Sequence, residues 1–432
     1  MGDSKGRNQN NMYDEIFEEI VSIMQKDYSG CKDKQGWDNP EFYRGILNGN
    51  KRDITPDEFV ELVKDYLIDF KDNHIHFVRT QKNKEQRKER GFKVRRFEDM
   101  LYVTSVKNEK NITVGSVISA LDGIPILELR EKYRRNLNEN HPERENWNPI
   151  LLKHENCTIV NEDQTTTILT MEKFDKGLST PTYSIEKMKE GPILVTLTDF
   201  ADPDTISKLI RDHAPLLNAA ESLIIDVRNN AGGTDSSFTE LLPYLFPLEE
   251  RELFDPAKHT MLYNCTERTC DLQIKMIDES LATIKDENTR EMLNGFKGFF
   301  EKNYGKGFVN LNEDANNSFI MKGKALPEKV VVLTDVYCGS SGDSFVEACK
   351  LSNKVTVVGR PTAGLNDYTN LTIMKWEEGF ELWYPTSKLR RVDDGYGMSG
   401  IGIESDVYIP WTPQHIEEDI DIKKALELIH SA

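Results

Sequence analysis

The chain changes its hydrophobic period twice. Over residues 1–88 apolar positions recur every three or four residues. In "MYDEIFEEIVSIMQKDY", Ile16, Ile20, Val21 and Met24 share one helical face. "TPDEFVELVKDYLIDFK" aligns Phe59, Leu62, Val63, Tyr66 and Leu67. It opens on Thr55 with Glu58 three residues later, the pattern of a capping box. That helix is predicted to end near Lys71, with the alternating "HIHFV" extended beyond it. Over residues 89–173 the period becomes two. "MLYVTSV", "TVGSVISALDGIPI" and "TTTILTM" read as short strands that turn at Gly115 and Gly123, with "ILELREKYRR" as a helix among them.

From residue 174 onward, the apolar runs "PILVTLTDF", "SLIIDVR", "KVVVLTD" and "KVTVVG" alternate with helical segments. These are "DTISKLIRDHAPLLNA", "SFTELLPYLF" and "DSFVEACKLS". Such alternation predicts an α/β core around a largely parallel sheet, because strands covered on both faces read as continuous apolar runs. A polar helical stretch over 250–325 interrupts it and reads as an insertion, placed as a lid. "IDIKKALELIHSA" reads as a closing helix. Three domains are therefore expected: helical 1–88, β-rich 89–173 and an α/β core 174–432.

Composition narrows the partners. Among 432 residues, 55 are basic and 73 acidic, a net charge of −18. That disfavours nucleic acid and anionic membranes, which are held by clustered Lys and Arg. The basic run "KNKEQRKERGFKVRR" (82–96) carries interleaved glutamates and reads as a solvated linker or helix face. No apolar run approaches the roughly 18 residues of a membrane helix. "MGDSKGRNQNNMYDE" has no apolar h-region, and Gly6 breaks a myristoylation pattern, so a cytoplasmic location is expected, or an exported one if a leader precedes this sequence. The six cysteines show no CxxC spacing and read mostly as reduced core residues, with a Cys265–Cys270 disulfide as the alternative in an exported protein.

Three stretches could carry chemistry. "LIIDVRNNAGGTDSSF" runs a buried strand into paired glycines, whose N–H groups can serve an oxyanion or can simply shape a turn. "VYCGSSGDSF" puts three serines between a buried strand and a helix. Orphan N–H groups there favour developing negative charge, but they equally favour an N-cap serine. "FKDNHIHFV" supplies His74 two residues after Asp72, the kind of base a serine nucleophile needs, although a histidine closing a helix suits the dipole as well. A metal site on His-Ile-His lacks a third ligand, and no cofactor is expected.

Taken in order with "VGSVISALDGIPI", "TVVGRPTAG" and "GIGIESDVYIP", these phrases resemble the C-terminal-processing (tail-specific) serine peptidase family across residues 12–432. The resemblance implies a Clp protease/crotonase-like ββα core with an N-terminal helical domain and a PDZ-like β-rich domain. It implies a peptide or unfolded protein as partner. It also implies Ser340 as nucleophile, with the N–H of Ser341 and one from Gly232 or Gly233 as oxyanion hole. Many members use a lysine after a "PTxG" turn, and here that position is Leu365. A tricorn-like branch uses instead a histidine in an "LxDxHxxF" phrase, which His74 matches. That branch's carboxylate falls on Ser399, so Asp72, Asp394, Glu404 or Ser399 is left to orient the imidazole. The departures from the pattern motivate an alternative, a non-catalytic peptide- or hydrophobic-ligand-binding protein. An acyl-CoA enzyme with Asp235 as base is disfavoured by the acidic composition. The oligomeric state is not legible.

Overall fold

The computed structural model describes residues 9–49, 54–80, 88–137, 141–177, 180–252, 260–311 and 320–431. Part of the basic run, 82–87, lies outside them. The chain forms two compact units. One gathers Met1–Lys84, Phe254–Ser318 and Leu365–Gly397; the other gathers Glu85–Leu253, Phe319–Gly364 and Met398–Ala432.

In the first unit, helices Gln9–Lys26 and Pro56–Leu67 bury the predicted stripes. The capping box is present: Glu58 N–H donates to Thr55 Oγ1 at 3.3 Å and Thr55 N–H to Glu58 Oε2 at 2.9 Å. The helix continues as a 3₁₀ turn to Phe70, and Lys71 ends it in the left-handed region, φ 47°. The partner surface comes from far along the chain. Strand His76–Arg79 pairs with Phe380–Leu389, which also pairs with Tyr368–Lys375 and Met261–Cys265. Stacked rings, Tyr13 on Phe59 at 4.4 Å and Phe77 on Phe380 at 5.6 Å, fill the shared core. The first 84 residues share their unit with 254–318 and 365–397. The insertion is not only helical. Helices Glu267–Leu281 and Glu287–Lys302 lie between the paired strands Met261–Cys265 and Gly307–Asn310.

The second unit holds the α/β core. Its sheet runs in the order Tyr183–Lys187, Ile193–Leu197, Ser222–Asp226, Lys329–Thr334, Val355–Gly359, Val407–Tyr408. The first pair is antiparallel and the rest parallel. Both faces are buried, as the continuous apolar runs require. Leu223, Ile225, Val330, Val332 and Val357 face Ile206, Ile210, Phe345 and Val346, while Ile224, Val331, Leu333 and Val358 face Ala425 of the closing helix Ile420–His430. "SFTELLPYLF" differs from expectation: it splits into a 3₁₀ turn, Asp235–Phe238, and a single turn, Leu242–Leu245. Pro243 explains the break: it has no N–H to bond the Thr239 carbonyl four residues back, and its ring is tolerated only in the first turn of the second helix.

The β-rich part of this unit pairs Phe92–Phe97, Met100–Val106, Val117–Leu121, Asn156–Val160 and Thr166–Thr170 in antiparallel order, with helix Ile126–Lys132 packed on its core. Gly115 and Gly123 turn the chain with positive φ, as predicted. All six cysteines are free. Cys265 and Cys270 hydrogen-bond through their thiols rather than forming a bridge. No helix among the described residues is long and apolar enough to cross a membrane.

Candidate functional site

Ser340 stands where strand Lys329–Thr334 has ended and helix Ser341–Cys349 begins. Its backbone is at φ 58°, ψ −120°, a region few non-glycine residues occupy and one that persists only when the surroundings enforce it. Two buried residues do so. Asp343, fully buried, accepts the Ser340 N–H on Oδ2 at 2.7 Å and the Gly364 N–H on Oδ1 at 2.9 Å. This ties the serine turn to the "PTAG" turn. Ala363 N–H adds a bond to the Cys338 carbonyl at 2.6 Å. Asn230, also fully buried, accepts the Gly339 N–H on its carbonyl at 3.0 Å and anchors its own amide on the Leu197 carbonyl.

The paired glycines come from the neighbouring strand, Ser222–Asp226. Gly232 has φ 87°, and a Cβ on it would meet Ser340 Cβ at 2.7 Å and Oγ at 3.3 Å, so the serine side chain lies against glycine backbone. The two glycines differ as donors. Gly232 N–H donates to Asn230 Oδ1 at 3.0 Å. Gly233 N–H has no acceptor among the described residues. The same holds for Ser341 N–H, the first of its helix, where the dipole favours negative charge. Of the two glycines named from sequence, Gly233 is thus the one with a free donor. Ser341 and Ser344 turn their hydroxyls to the Asp235 carboxylate.

Beneath the serine turn lies a buried ion network. Asp335 accepts from Arg95 and Arg360, each at 2.7 Å, and Arg360 also binds Asp421 at 2.7 and 2.8 Å. Burial pushes both carboxyls up. The arginines around Asp335 outweigh that, as do His415, Arg360 and Arg228 around Asp421, and hold both below the usual range. Arg95 belongs to the β-rich sheet and packs over the Tyr337 ring at 4.7 Å. Arg144, from the same part, donates to the Thr362 and Ala363 carbonyls at 2.9 and 2.6 Å. Both loops around Ser340 and Gly364 are thereby anchored.

His74 lies in the other unit, in a turn built by Asp72, whose Oδ1 accepts the His74 N–H at 2.9 Å. The ring Nδ1 is 2.8 Å from the Tyr368 carbonyl oxygen and 3.9 Å from Asp72 Oδ1. A carbonyl can only accept, so Nδ1 carries the proton and Nε2 of the neutral ring keeps a free lone pair. Of the two carboxylates proposed for orienting it from this unit, Asp72 is adjacent, whereas Asp394 is exposed and makes no hydrogen bond or ion pair among the described residues. Ser399 and Glu404, in the second unit, are exposed. Leu365 is half-buried. Two core lysines are committed elsewhere: Lys350 pairs with Asp406, and Lys354 donates to the Lys324 carbonyl at 2.9 Å.

Sequence reasoning missed Asp343, Asn230, Arg144, Tyr368 and Lys34. The first has a readable signal, an acid three residues after a serine at a helix start. The others act through contacts distant in sequence. Among the described residues no group of three or more His, Cys, Asp or Glu could hold a metal ion.

Residues 193–409 match Peptidase family S41, half of the chain. No curated protein sequence matches it. In fold the chain is similar to mature CPAF complexed with lactacystin, with a TM-score of 0.67, 13% identity and 97% of each chain covered. It is also similar to mature CPAF determined separately, with a TM-score of 0.65, 13% identity and 97% of this chain and 96% of that one covered.

Proposed function

The chain belongs to Peptidase family S41, and from that premise we propose that it is a serine endopeptidase acting on peptides or unfolded protein tails through an acyl-enzyme on Ser340, with His74 as general base. The observation that carries this reading is the strained backbone of Ser340 at a helix N-terminus, its side chain against Gly232. A plain helix cap needs no such conformation, since caps sit in ordinary extended backbone.

In the proposed cycle, His74 Nε2 takes the Ser340 hydroxyl proton as Oγ attacks the scissile carbonyl. The tetrahedral oxyanion is met by the N–H groups of Ser341 and Gly233, donors that are already fixed and so cost no reorganisation. The imidazolium then gives its proton to the leaving amine, and water, activated by the same nitrogen, releases the acyl group. The Nδ1 bond to the Tyr368 carbonyl supports this by keeping the proton off Nε2.

The test is cleavage of an unstructured protein. Ser340→Ala and His74→Ala should each lose about 10⁴-fold or more in rate while circular dichroism is unchanged; undiminished cleavage by either variant contradicts the assignment. A second reading, a peptide- or hydrophobic-ligand-binding protein, is favoured by Leu365 and Ser399 standing where the family pattern has lysine and glutamate. It predicts no turnover by the wild type at any pH.

A further inference from the structure

A buried lysine lies behind His74. Lys34 is only 4% exposed, and its ammonium donates to Tyr28 Oη at 2.8 Å. Tyr28 Oη donates in turn to Asp72 Oδ2 at 2.6 Å. The ammonium stands 3.9 Å from Asp72 Oδ2 and 4.2 Å over the Tyr368 ring. The other oxygen of Asp72 holds the His74 N–H at 2.9 Å and lies 3.9 Å from Nδ1. One chain of contacts therefore runs from Lys34 through Tyr28 and Asp72 to the imidazole. It ends on the residue, Tyr368, whose carbonyl fixes the tautomer.

Burying an ammonium is costly, and a buried ion pair is often no more stable than an apolar replacement of the same volume. The charge therefore calls for a reason other than stability. Burial pulls the Lys34 amine down from its ordinary value, against the raising influence of Asp72, Asp367 and Asp33. The remaining charged groups here are Lys388, which binds Asp33 at 3.0 Å and also pairs with Asp393, and Arg391, 3.8 Å from Asp367. Asp72 is the carboxylate shared by Lys34 and His74.

We propose, on the reading of His74 as the base, that Lys34 and Asp72 are positioning residues forming an opposed charge pair. Asp72 fixes the turn that presents the imidazole, and Lys34 compensates its charge so that the ring stays neutral, and able to accept a proton, at the working pH. Without Lys34 the bare carboxylate favours the imidazolium. Without the Asp72 charge the lysine disfavours it.

The experiment is the pH profile of kcat/KM for an unstructured peptide substrate, together with NMR titration of the His74 ring, in wild type, Lys34→Met, Asp72→Asn and Tyr28→Phe. The acid limb and the ring titration should move up by about one pH unit in Lys34→Met and down in Asp72→Asn, as expected for charges at this range. If Lys34→Met fails to fold, Tyr28→Phe keeps the ring, breaks the relay, and should move the limb up by less. Movement in the same direction for Lys34→Met and Asp72→Asn, or unmoved limbs with lowered rates, overturns the proposal in favour of a structural role. The reading beneath it fails separately: an active His74→Ala enzyme shows that His74 is not the base and removes the pair's catalytic role even if the ring titration moves.

Discussion

Gly232 packs directly on Ser340: a Cβ there would stand 2.7 Å from the serine Cβ and 3.3 Å from Oγ. Because φ at Gly232 is 87°, alanine is also strained at this position. Gly232→Ala should therefore displace Ser340 and reduce kcat/KM by about 10²-fold or more, as expected for a 1 Å misplacement. Gly233 is different. A Cβ on it would fall 2.1 Å from the Phe200 carbonyl carbon, a clash with backbone. Gly233→Ala should lower the melting temperature strongly; Gly232→Ala, whose Cβ would also stand 2.9 Å from the Gly339 carbonyl oxygen, should lower it less while lowering activity. Parallel thermal melts and rate measurements check the contrast.

Asp343 joins two turns with one carboxylate. Asp343→Ala leaves the N–H groups of Ser340 and Gly364 without that acceptor inside the core. Each buried unsatisfied donor costs about 1–3 kcal/mol, so chemical denaturation should show a loss within roughly twice that range. The rate should fall with it, because Ser340 loses what holds its unfavourable backbone. Asp343→Asn keeps one acceptor oxygen and should lie between wild type and alanine in both measurements.

The network below the serine turn gives a pH signature. The folded Asp421 carboxyl is held below its ordinary range. Its contribution is complete above the unfolded value of about 3.9 and is lost as pH falls toward the folded value. Asp421→Asn leaves Arg360 and Arg228 short of a buried partner, at a cost of about 3–5 kcal/mol at neutral pH. The gap in melting temperature between variant and wild type should narrow as pH falls below about 4.

Local signals in the sequence foretell much of the fold. Thr55 and Glu58 declare a helix start, and the runs around Ile224 and Val331 declare strands buried on both faces, because each signal is complete within a few residues. The hairpin of Tyr368–Lys375 and Phe380–Leu389 joins His76–Arg79 and Met261–Cys265 in one sheet, pairing residues just over 300 positions apart. No window of sequence contains that pairing. The site divides in the same way. Ser340 was marked by its turn and by family resemblance. That Asn230 occupies the Gly232 N–H, and that Lys34 sits behind Asp72, are facts of tertiary contact. The candidates that the sequence offers for orienting His74 are side chains, Asp72, Asp394, Glu404 and Ser399, whereas Nδ1 meets the Tyr368 carbonyl, a backbone group present in every residue and so without a sequence signature.

The central claim is that Ser340 is a nucleophile activated by His74. The most direct measurement is labelling by a fluorophosphonate probe, located by mass spectrometry of the digested protein. Wild type should carry the label on Ser340, Ser340→Ala should carry none, and His74→Ala should label far more slowly at neutral pH. A folded wild-type protein that leaves Ser340 unlabelled, or a His74→Ala variant that labels at the wild-type rate, would contradict the account.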